Sequence, residues 1–169
     1  QFRPQYQYLD QNKEAEERIY EGETPGVSYG DIAERYYTVG QYMKEVKDVS
    51  KAMAAAGDSY ICDEYLNAMG SPEAESVYVL HDLNNDGIEE FFIGLKFNYD
   101  IPYYVIYDVY TWKDGRAYQL MRGIGYRNGS CKICENGVIE DNYSGSAWDG
   151  QTLYHILPEG GIELETIDS

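Results

Sequence analysis

Hydrophobic and polar positions follow two different periods in the two parts of this chain. From Ser28 to Gly70, apolar residues recur at spacings of three, four and seven, which is typical of amphipathic helices. From Val77 onward the chain breaks into short runs of aromatic and β-branched residues separated by glycine turns, which is typical of antiparallel strands. The pattern therefore predicts an α+β domain, with helices packed on a C-terminal antiparallel β-meander of about six or seven strands.

The helical part is predicted to contain one long and one short helix. Ser28 and Asp31 are a capping pair for the long helix, which ends near Gly57. The short helix begins at Asp58 and ends at Gly70. The apolar positions expected to be buried are Ile32, Tyr36, Val39, Met43, Val46 and Met53 in the long helix, and Ile61, Cys62, Tyr65, Leu66 and Met69 in the short one.

Composition and the positions of glycine and proline divide the chain into an N-terminal segment and a single domain. Residues 1–27 are polar and irregular, apart from a short helix predicted at 12–21. Residues 28–169 form a single α+β domain, with a helical part at 28–70 and the β-meander at 76–169. A chain of 169 residues is long enough to bury one proper core.

The stretch from Asp82 to Glu90 carries the most specific chemistry in the sequence. Oxygen-bearing side chains stand at loop positions 1, 3, 5 and 9, with glycine at position 6. This spacing suits calcium, which takes about six to eight oxygen ligands and needs a sharp turn to gather them. Position 12, where an EF-hand has a bidentate glutamate, is Ile93, and the flanking residues read as strands rather than helices.

A calcium loop between two strands resembles the DxDxDG-type loops of integrin-like propeller repeats. The ligands implied by this resemblance are the side chains of Asp82, Asn84, Asp86 and Glu90 and the carbonyl of Ile88. The alternative interpretation is a hairpin whose Asn85, Asp86 and Gly87 provide the positive φ angles of a tight turn. Since a tight turn does not require Asp82, Asn84 and Glu90, calcium is the favoured interpretation.

The net charge and the hydropathy of the chain limit the kinds of partner that it can bind. Thirty acidic residues against thirteen basic ones give a net charge of −17, which repels nucleic acid and anionic membrane surfaces. No stretch approaches the roughly 20 apolar residues of a membrane span. The first residues lack the apolar core of a signal peptide, so we expect a signal or lipid anchor to have been removed. The expected partner is a protein or a carbohydrate.

Three cysteines are too few, and odd in number, for a disulfide scaffold. Cys131 and Cys134 form a CxxC within a predicted strand, where their side chains point to opposite faces. A zinc site would need further ligands from Cys62, His81 and His155. Packing as free thiols is the favoured interpretation, with zinc or redox function as the alternative.

Aromatic residues are unusually frequent, with nineteen tyrosines and two tryptophans. Most are expected in cross-strand packing, while Trp148, in a loop rich in glycine and serine, is the candidate for an exposed ligand contact. Common hydrolase and dehydrogenase motifs are missing. A small secreted hydrolase that uses a pair of acidic residues, or a Cys62–His155 nucleophile, is the alternative function.

A helical leader followed by the segments 77–90 and 107–115 is similar to uncharacterised secreted or lipid-anchored proteins of Gram-positive anaerobes. The resemblance covers roughly residues 30–169. It implies an extracellular or cell-surface location and no known catalysis. We therefore expect a non-catalytic extracytoplasmic calcium-binding domain that serves as a binding or adhesion module.

Overall fold

The computed structural model describes residues 4–9, 28–56, 61–124, 130–134, 137–144, 149–157 and 162–168. Within these ranges the helices are α1 (Tyr29–Val46), α2 (Val49–Ala56) and α3 (Asp63–Met69). The strands are β1 (Gln7–Tyr8), β2 (Ala74–His81), β3 (Glu90–Phe97), β4 (Tyr103–Lys113), β5 (Arg116–Met121), β6 (Ser130–Ile133), β7 (Val138–Ser144), β8 (Asp149–Ile156) and β9 (Ile162–Asp168). The predicted α+β class, with helices preceding most of an antiparallel β region, is confirmed.

The strands form two antiparallel sheets rather than a single meander. Sheet A has the order β1-β2-β3-β4-β5, and sheet B has the order β6-β7-β8-β9. The prediction of one meander of six or seven strands was therefore wrong in detail. The chain leaves sheet A after Met121, where Gly123 adopts a φ of +66° and the Ile124 amide donates to the Tyr107 carbonyl. Glycine turns show where strands end, but they do not show which strands pair.

The N-terminal segment contributes a strand to sheet A. Gln7 and Tyr8 pair with Tyr78 and Val77 of β2, and Leu9 is only 1% exposed. The prediction that residues 1–27 are irregular was therefore wrong for β1. So short an edge strand is defined by its pairing with β2, about seventy residues away in the chain, and local sequence carries no trace of it. The helix predicted at 12–21 lies outside the described residues.

The capping pair predicted for the long helix is confirmed. The Asp31 amide donates to Ser28 Oγ at 3.1 Å, and the Ser28 amide donates to Asp31 Oδ2 at 2.9 Å. The long helix itself is interrupted, because Lys47 adopts the left-handed conformation with a φ of +51° and ends α1. Asp48 then accepts from the Lys51 amide and begins α2.

The short helix begins later than predicted. α3 starts at Asp63 with Cys62 as its N-cap, whose sulfur accepts a hydrogen bond from the Tyr65 amide at 3.4 Å. The predicted start at Asp58 lies outside the described residues. All the side chains that the sequence assigned to the buried face of this helix are buried: Ile61, Cys62, Tyr65, Leu66 and Met69.

The core lies between the helices and sheet A and is rich in tyrosine. Tyr29, Tyr36 and Tyr65 of the helices are at most 1% exposed, as are Tyr78 and Tyr110 of the sheet. Tyr36 and Tyr65 meet edge to face with ring centroids 5.2 Å apart, and Tyr29 is stacked on Phe91. The described helices include none that is long and apolar enough to cross a membrane.

Candidate metal centre

The loop of residues 82–89 connects β2 to β3 where the two sheets meet. His81 pairs with Glu90 across its base, so the predicted strands on both sides are confirmed. The side-chain amide of Asn84 reaches sheet B and donates to the Leu157 carbonyl at 3.0 Å. A Cβ added at Gly137 would lie 3.2 Å from the Leu83 carbonyl oxygen, so sheet B approaches the loop backbone closely.

Asp82 organises the turn of the loop. Its Oδ1 accepts from the Asp86 amide at 3.2 Å, and its Oδ2 accepts from the Gly87 amide at 2.8 Å. Asn85 and Gly87 adopt φ angles of +58° and +88°. These positive angles agree with the tight-turn interpretation, and a calcium loop requires the same sharp bend.

Asn84 and Asp86 lie side by side within this turn. Asp86 Oδ1 accepts from the Ile88 amide at 2.8 Å, while its Oδ2 lies 3.4 Å from Asn84 Nδ2. Asn84 is only 7% exposed, and its Oδ1 has no hydrogen-bond partner among the described residues. A buried amide oxygen without a partner is uncommon in folded proteins, and a bound cation or water is the kind of group that satisfies it.

Glu90 closes the base of the loop and is fully buried. Its Oε1 accepts from the Leu83 amide at 2.9 Å, and its Oε2 accepts from the Thr111 hydroxyl at 3.1 Å. Burial, with a smaller contribution from the charges of Asp86 and Asp82, raises the pKa of Glu90 to about 7, although these two hydrogen bonds oppose the shift. Near neutral pH this carboxyl group is therefore poised between its neutral and charged forms.

The donor chemistry of the loop fits a hard cation only if neutral oxygens take part. Among the described residues, no three His, Cys, Asp or Glu side chains converge as a group that could hold a metal ion. The structure brings together the predicted Asp82, Asn84 and Asp86, whereas the Glu90 carboxyl faces Leu83 and Thr111. Asn84 Oδ1 and the Ile88 carbonyl would have to complete an all-oxygen site of the kind calcium takes.

Sequence reasoning missed the partners that hold this loop from outside. Thr111 of β4 and Leu157 after β8 contact Glu90 and Asn84, and the hydroxyl of Tyr29 donates to the Glu89 carbonyl at 2.7 Å. No local signal marks them, because each lies more than twenty residues from its partner. The loop is thus tied to α1 and to both sheets.

The cysteines do not form a reactive centre in the part of the chain that the structure describes. Cys62 and Cys134 are free, and Cys62 is 1% exposed. Burial, followed by the Asp108 carboxylate, strongly raises the pKa of the Cys62 thiol, so it stays neutral and poorly nucleophilic. The side chain of Cys131 and the whole of Trp148 lie outside the described residues, so their predicted roles stay predictions.

No protein family, no curated protein and no solved structure matches this chain. The likeness to secreted proteins of Gram-positive anaerobes therefore stays a prediction, and function is argued from the geometry of the loop.

Proposed function

We propose that the loop from Asp82 to Glu90 binds calcium and that the domain is a non-catalytic, extracytoplasmic binding or adhesion module. The observation that carries the calcium assignment is the buried Oδ1 of Asn84, which has no hydrogen-bond partner among the described residues. Leaving such a group unsatisfied costs about 1–3 kcal/mol. Its amide nitrogen already donates to Leu157, so the oxygen is the atom left for a ligand.

The charge around the loop supports the same assignment. Asp82, Asp86 and Glu90 occupy one short connection, and the two aspartates disfavour ionisation of the buried glutamate. A divalent cation would remove this repulsion and favour the charged form of all three carboxyl groups. The cation would also be held by a loop that contacts α1, sheet A and sheet B. Its role is therefore to fix the junction of the two sheets.

The hydrolase alternative gains no support from the buried acids. Glu90, Asp108 and Asp141 lie in different strands, β3, β4 and β7, and each is at most 6% exposed. A glycosidase needs two carboxyl groups that face one substrate. We therefore propose a binding module rather than an enzyme.

Calorimetric titration of calcium tests the proposal. Asp86→Ala removes a formal charge opposite the cation, and Asn84→Ala removes only a neutral oxygen, so Asp86→Ala should weaken binding more, by roughly tenfold or greater. Asp100→Ala is the matched control, because this exposed aspartate lies in the β3–β4 turn, at the other end of β3. It should bind calcium like the wild type.

The calcium affinity also tests whether the protein is extracytoplasmic. Extracellular calcium modules bind with a Kd of about 10⁻⁴–10⁻³ M, whereas cytosolic buffers bind at about 10⁻⁹–10⁻⁸ M. We expect the weaker range. Equal affinities for wild type and Asp86→Ala, or no heat of binding at all, would refute the calcium site, and nanomolar affinity would refute the extracytoplasmic role.

A further inference from the structure

A cleft of about 430 Å³ opens between α1 and the edge of sheet A formed by β1 and β2. Pockets for small ligands typically have volumes of about 300–1,000 Å³. The cleft is lined by the start of β2, whereas the calcium loop follows the end of that strand. The two sites are therefore separate.

One flank of α1 supplies the polar wall of the cleft. Tyr37, Gln41 and Lys44 are spaced by four and three residues, so they lie on one face of the helix. Lys47 follows at the helix end, where its amide donates to the Met43 carbonyl at 2.8 Å. This bond and the left-handed backbone of Lys47 set the direction in which its side chain leaves the helix.

The lining of the cleft has more basic than acidic side chains, unlike the protein as a whole. The chain has a net charge of −17, yet the charged residues lining the cleft are Lys44, Lys47 and Glu75. The Glu75 carboxylate already accepts from the Asn98 side chain at 2.6 Å. Lys47 is exposed and forms no ion pair with a described residue. A negatively charged ligand is therefore attracted by the lysines of this cleft, whereas most of the acidic surface repels it.

The ammonium group of Lys44 can donate further hydrogen bonds to a ligand in the cleft. Its Nζ donates to the Ser71 carbonyl at 2.9 Å, which uses one of the three donors of an ammonium group. Partial burial lowers the pKa of Lys44, while Glu75 and Glu73 oppose that shift. An ammonium group that has lost part of its hydration gains most from a charge-assisted hydrogen bond to a ligand.

Two half-exposed tyrosines provide flat surfaces at the cleft. Tyr8 and Tyr37 are each 37% exposed and both line it. Tyr8 is held in place by Lys96, whose Nζ donates to the Tyr8 hydroxyl at 3.2 Å. Amphipathic rings of this kind pack against the apolar faces of ligands while their hydroxyls keep polar partners. The Gln41 amide adds a donor and an acceptor for hydroxyl groups.

We infer that this cleft binds a short acidic saccharide, whose carboxylate pairs with Lys44 and Lys47 and whose ring packs on Tyr37 and Tyr8. This inference names the ligand class of the binding module proposed above and rests on that proposal. An acidic peptide shares the charge but has no rigid, hydroxyl-bearing ring to match the tyrosines and the Gln41 amide. The carbohydrate is therefore the ligand that the lining favours.

Calorimetry on the full chain with saturating calcium tests the inference. The probes are trimers of galacturonic acid and of glucuronic acid, a neutral galactose trimer and tetraglutamate. At least one uronic acid trimer should bind, and the neutral trimer and the peptide should bind at least about tenfold more weakly, since one charge-assisted contact contributes about 1.4 kcal/mol or more. Raised salt should weaken the binding.

The variants locate the site. Lys44→Gln and Lys47→Gln should each reduce affinity for the acidic trimer by about three- to tenfold, and Tyr37→Ala should reduce it similarly. Lys51→Gln is the matched control, because this exposed lysine belongs to α2 and does not line the cleft. Lys44→Arg should retain most of the affinity because it keeps the charge. Melting curves show that each variant is folded before its affinity is compared.

Three results would overturn the inference: no binding of either uronic acid trimer up to about 10 mM, equal binding of the peptide, or an equal effect of Lys51→Gln. The Asp86→Ala variant separates this inference from the calcium proposal. Because the cleft is separate from the loop, this variant should lose calcium affinity and keep its saccharide affinity. A wild type that binds the saccharide but no calcium would refute only the calcium site. Normal calcium binding without saccharide binding refutes only the cleft.

Discussion

Sheets A and B each bury an aspartate, and they surround it differently. Asp108 of β4 accepts hydrogen bonds from the Tyr36 hydroxyl at 2.5 Å, the Gly123 amide at 2.8 Å and the Cys62 amide at 3.3 Å. Asp141 of β7 is 6% exposed, and its Oδ1 has no partner among the described residues. The first carboxyl group ties two helical segments and a turn to sheet A, whereas the second, in sheet B, has an oxygen that no described residue contacts by a hydrogen bond.

This difference gives the two acids opposite effects on stability. Asp108 belongs to a stabilising hydrogen-bond network, whereas Asp141 destabilises the folded state when it ionises. Burial raises the pKa of Asp108, but the three donors oppose the shift. Burial alone raises the pKa of Asp141 to about 7. Sheet A therefore holds its acid by directed contacts, whereas sheet B tolerates its acid most easily in the neutral form. Sheet B also depends on the Asp82–Glu90 loop, which contacts it through Asn84 and Leu157.

The largest effect should come from removing the acid of sheet A. Asp108→Ala leaves the Tyr36 hydroxyl and the Gly123 and Cys62 amides without their acceptor, so we expect a loss of about 3–5 kcal/mol in the free energy of unfolding. Urea denaturation measures it. Tyr36→Phe removes one of the three donors to Asp108 together with the 2.7 Å contact to the Tyr110 hydroxyl, and should cost about 1–2 kcal/mol. A loss below about 1 kcal/mol for Asp108→Ala would show that the network contributes little.

Replacing the acid of sheet B should have the opposite sign. The folded pKa of Asp141 is raised, so its contribution to stability is full below the unfolded pKa and falls as pH rises through about 7. Asp141→Asn should therefore be more stable than the wild type at pH 8, by about 2–4 kcal/mol, and the gap should shrink towards pH 4. Denaturation with saturating calcium at several pH values measures this gap. A gap that does not change with pH would contradict the assignment.

Calcium should stabilise the junction between the sheets. A ligand that binds only the folded state contributes about 2.7 kcal/mol at a hundredfold excess over Kd, so melting should shift upward with calcium and downward with chelator. Hydrogen exchange should slow in the loop and in neighbouring parts of β7 and β8 more than in β5 of sheet A, which lies two strands away from β3. Unchanged melting, or uniform slowing in both sheets, would contradict a role at the junction.

Calcium binding should also depend on pH through Glu90. The cation favours the ionised carboxylate, so binding near pH 7 should release protons, and affinity should fall as pH drops below about 7. The fall is at most about tenfold per pH unit for one group. Calorimetry in buffers of different ionisation enthalpy measures the number of protons that are released when calcium binds. Glu90→Gln should bind more weakly and without this pH dependence, and a retained dependence would assign the titration to another group.

The smallest effects should come from the cysteines of sheet B. Joint replacement of Cys131 and Cys134 should change stability by less than about 1 kcal/mol and leave calcium affinity intact, because Cys134 is a half-buried free thiol. Cys62→Ala should cost more, about 1–2 kcal/mol, since Cys62 is buried under sheet A and caps α3. Stoichiometric zinc that is lost together with folding in the double variant would overturn this prediction.

Much of the fold near the loop was predictable because it is local in sequence. The Ser28–Asp31 capping box, the buried faces of α1 and α3, and the β2–β3 hairpin around Asp82 to Glu90 depend on spacings of a few residues. The break of the long helix at Lys47 was missed because a left-handed lysine has no compositional signal. The tight-turn alternative predicted positive φ angles at Asn85, Asp86 and Gly87, and it was right for Asn85 and Gly87, which tolerate that backbone region most readily, but wrong for Asp86.

By itself, then, the amino-acid sequence determined the α+β class, the position of the helices before the strands from β2 onward, and an oxygen-rich loop with the spacing of a calcium site. Tertiary structure alone decided that the strands divide into two sheets and that the buried Asn84 Oδ1 has no partner in the part of the chain that the structure describes. It also decided that Glu90 is held by Thr111 and that Lys44 and Lys47 share a cleft with Tyr8. The physical reason is distance along the chain: periodicity and turn chemistry act over a few residues, whereas burial and charge environment depend on contacts between segments far apart in sequence.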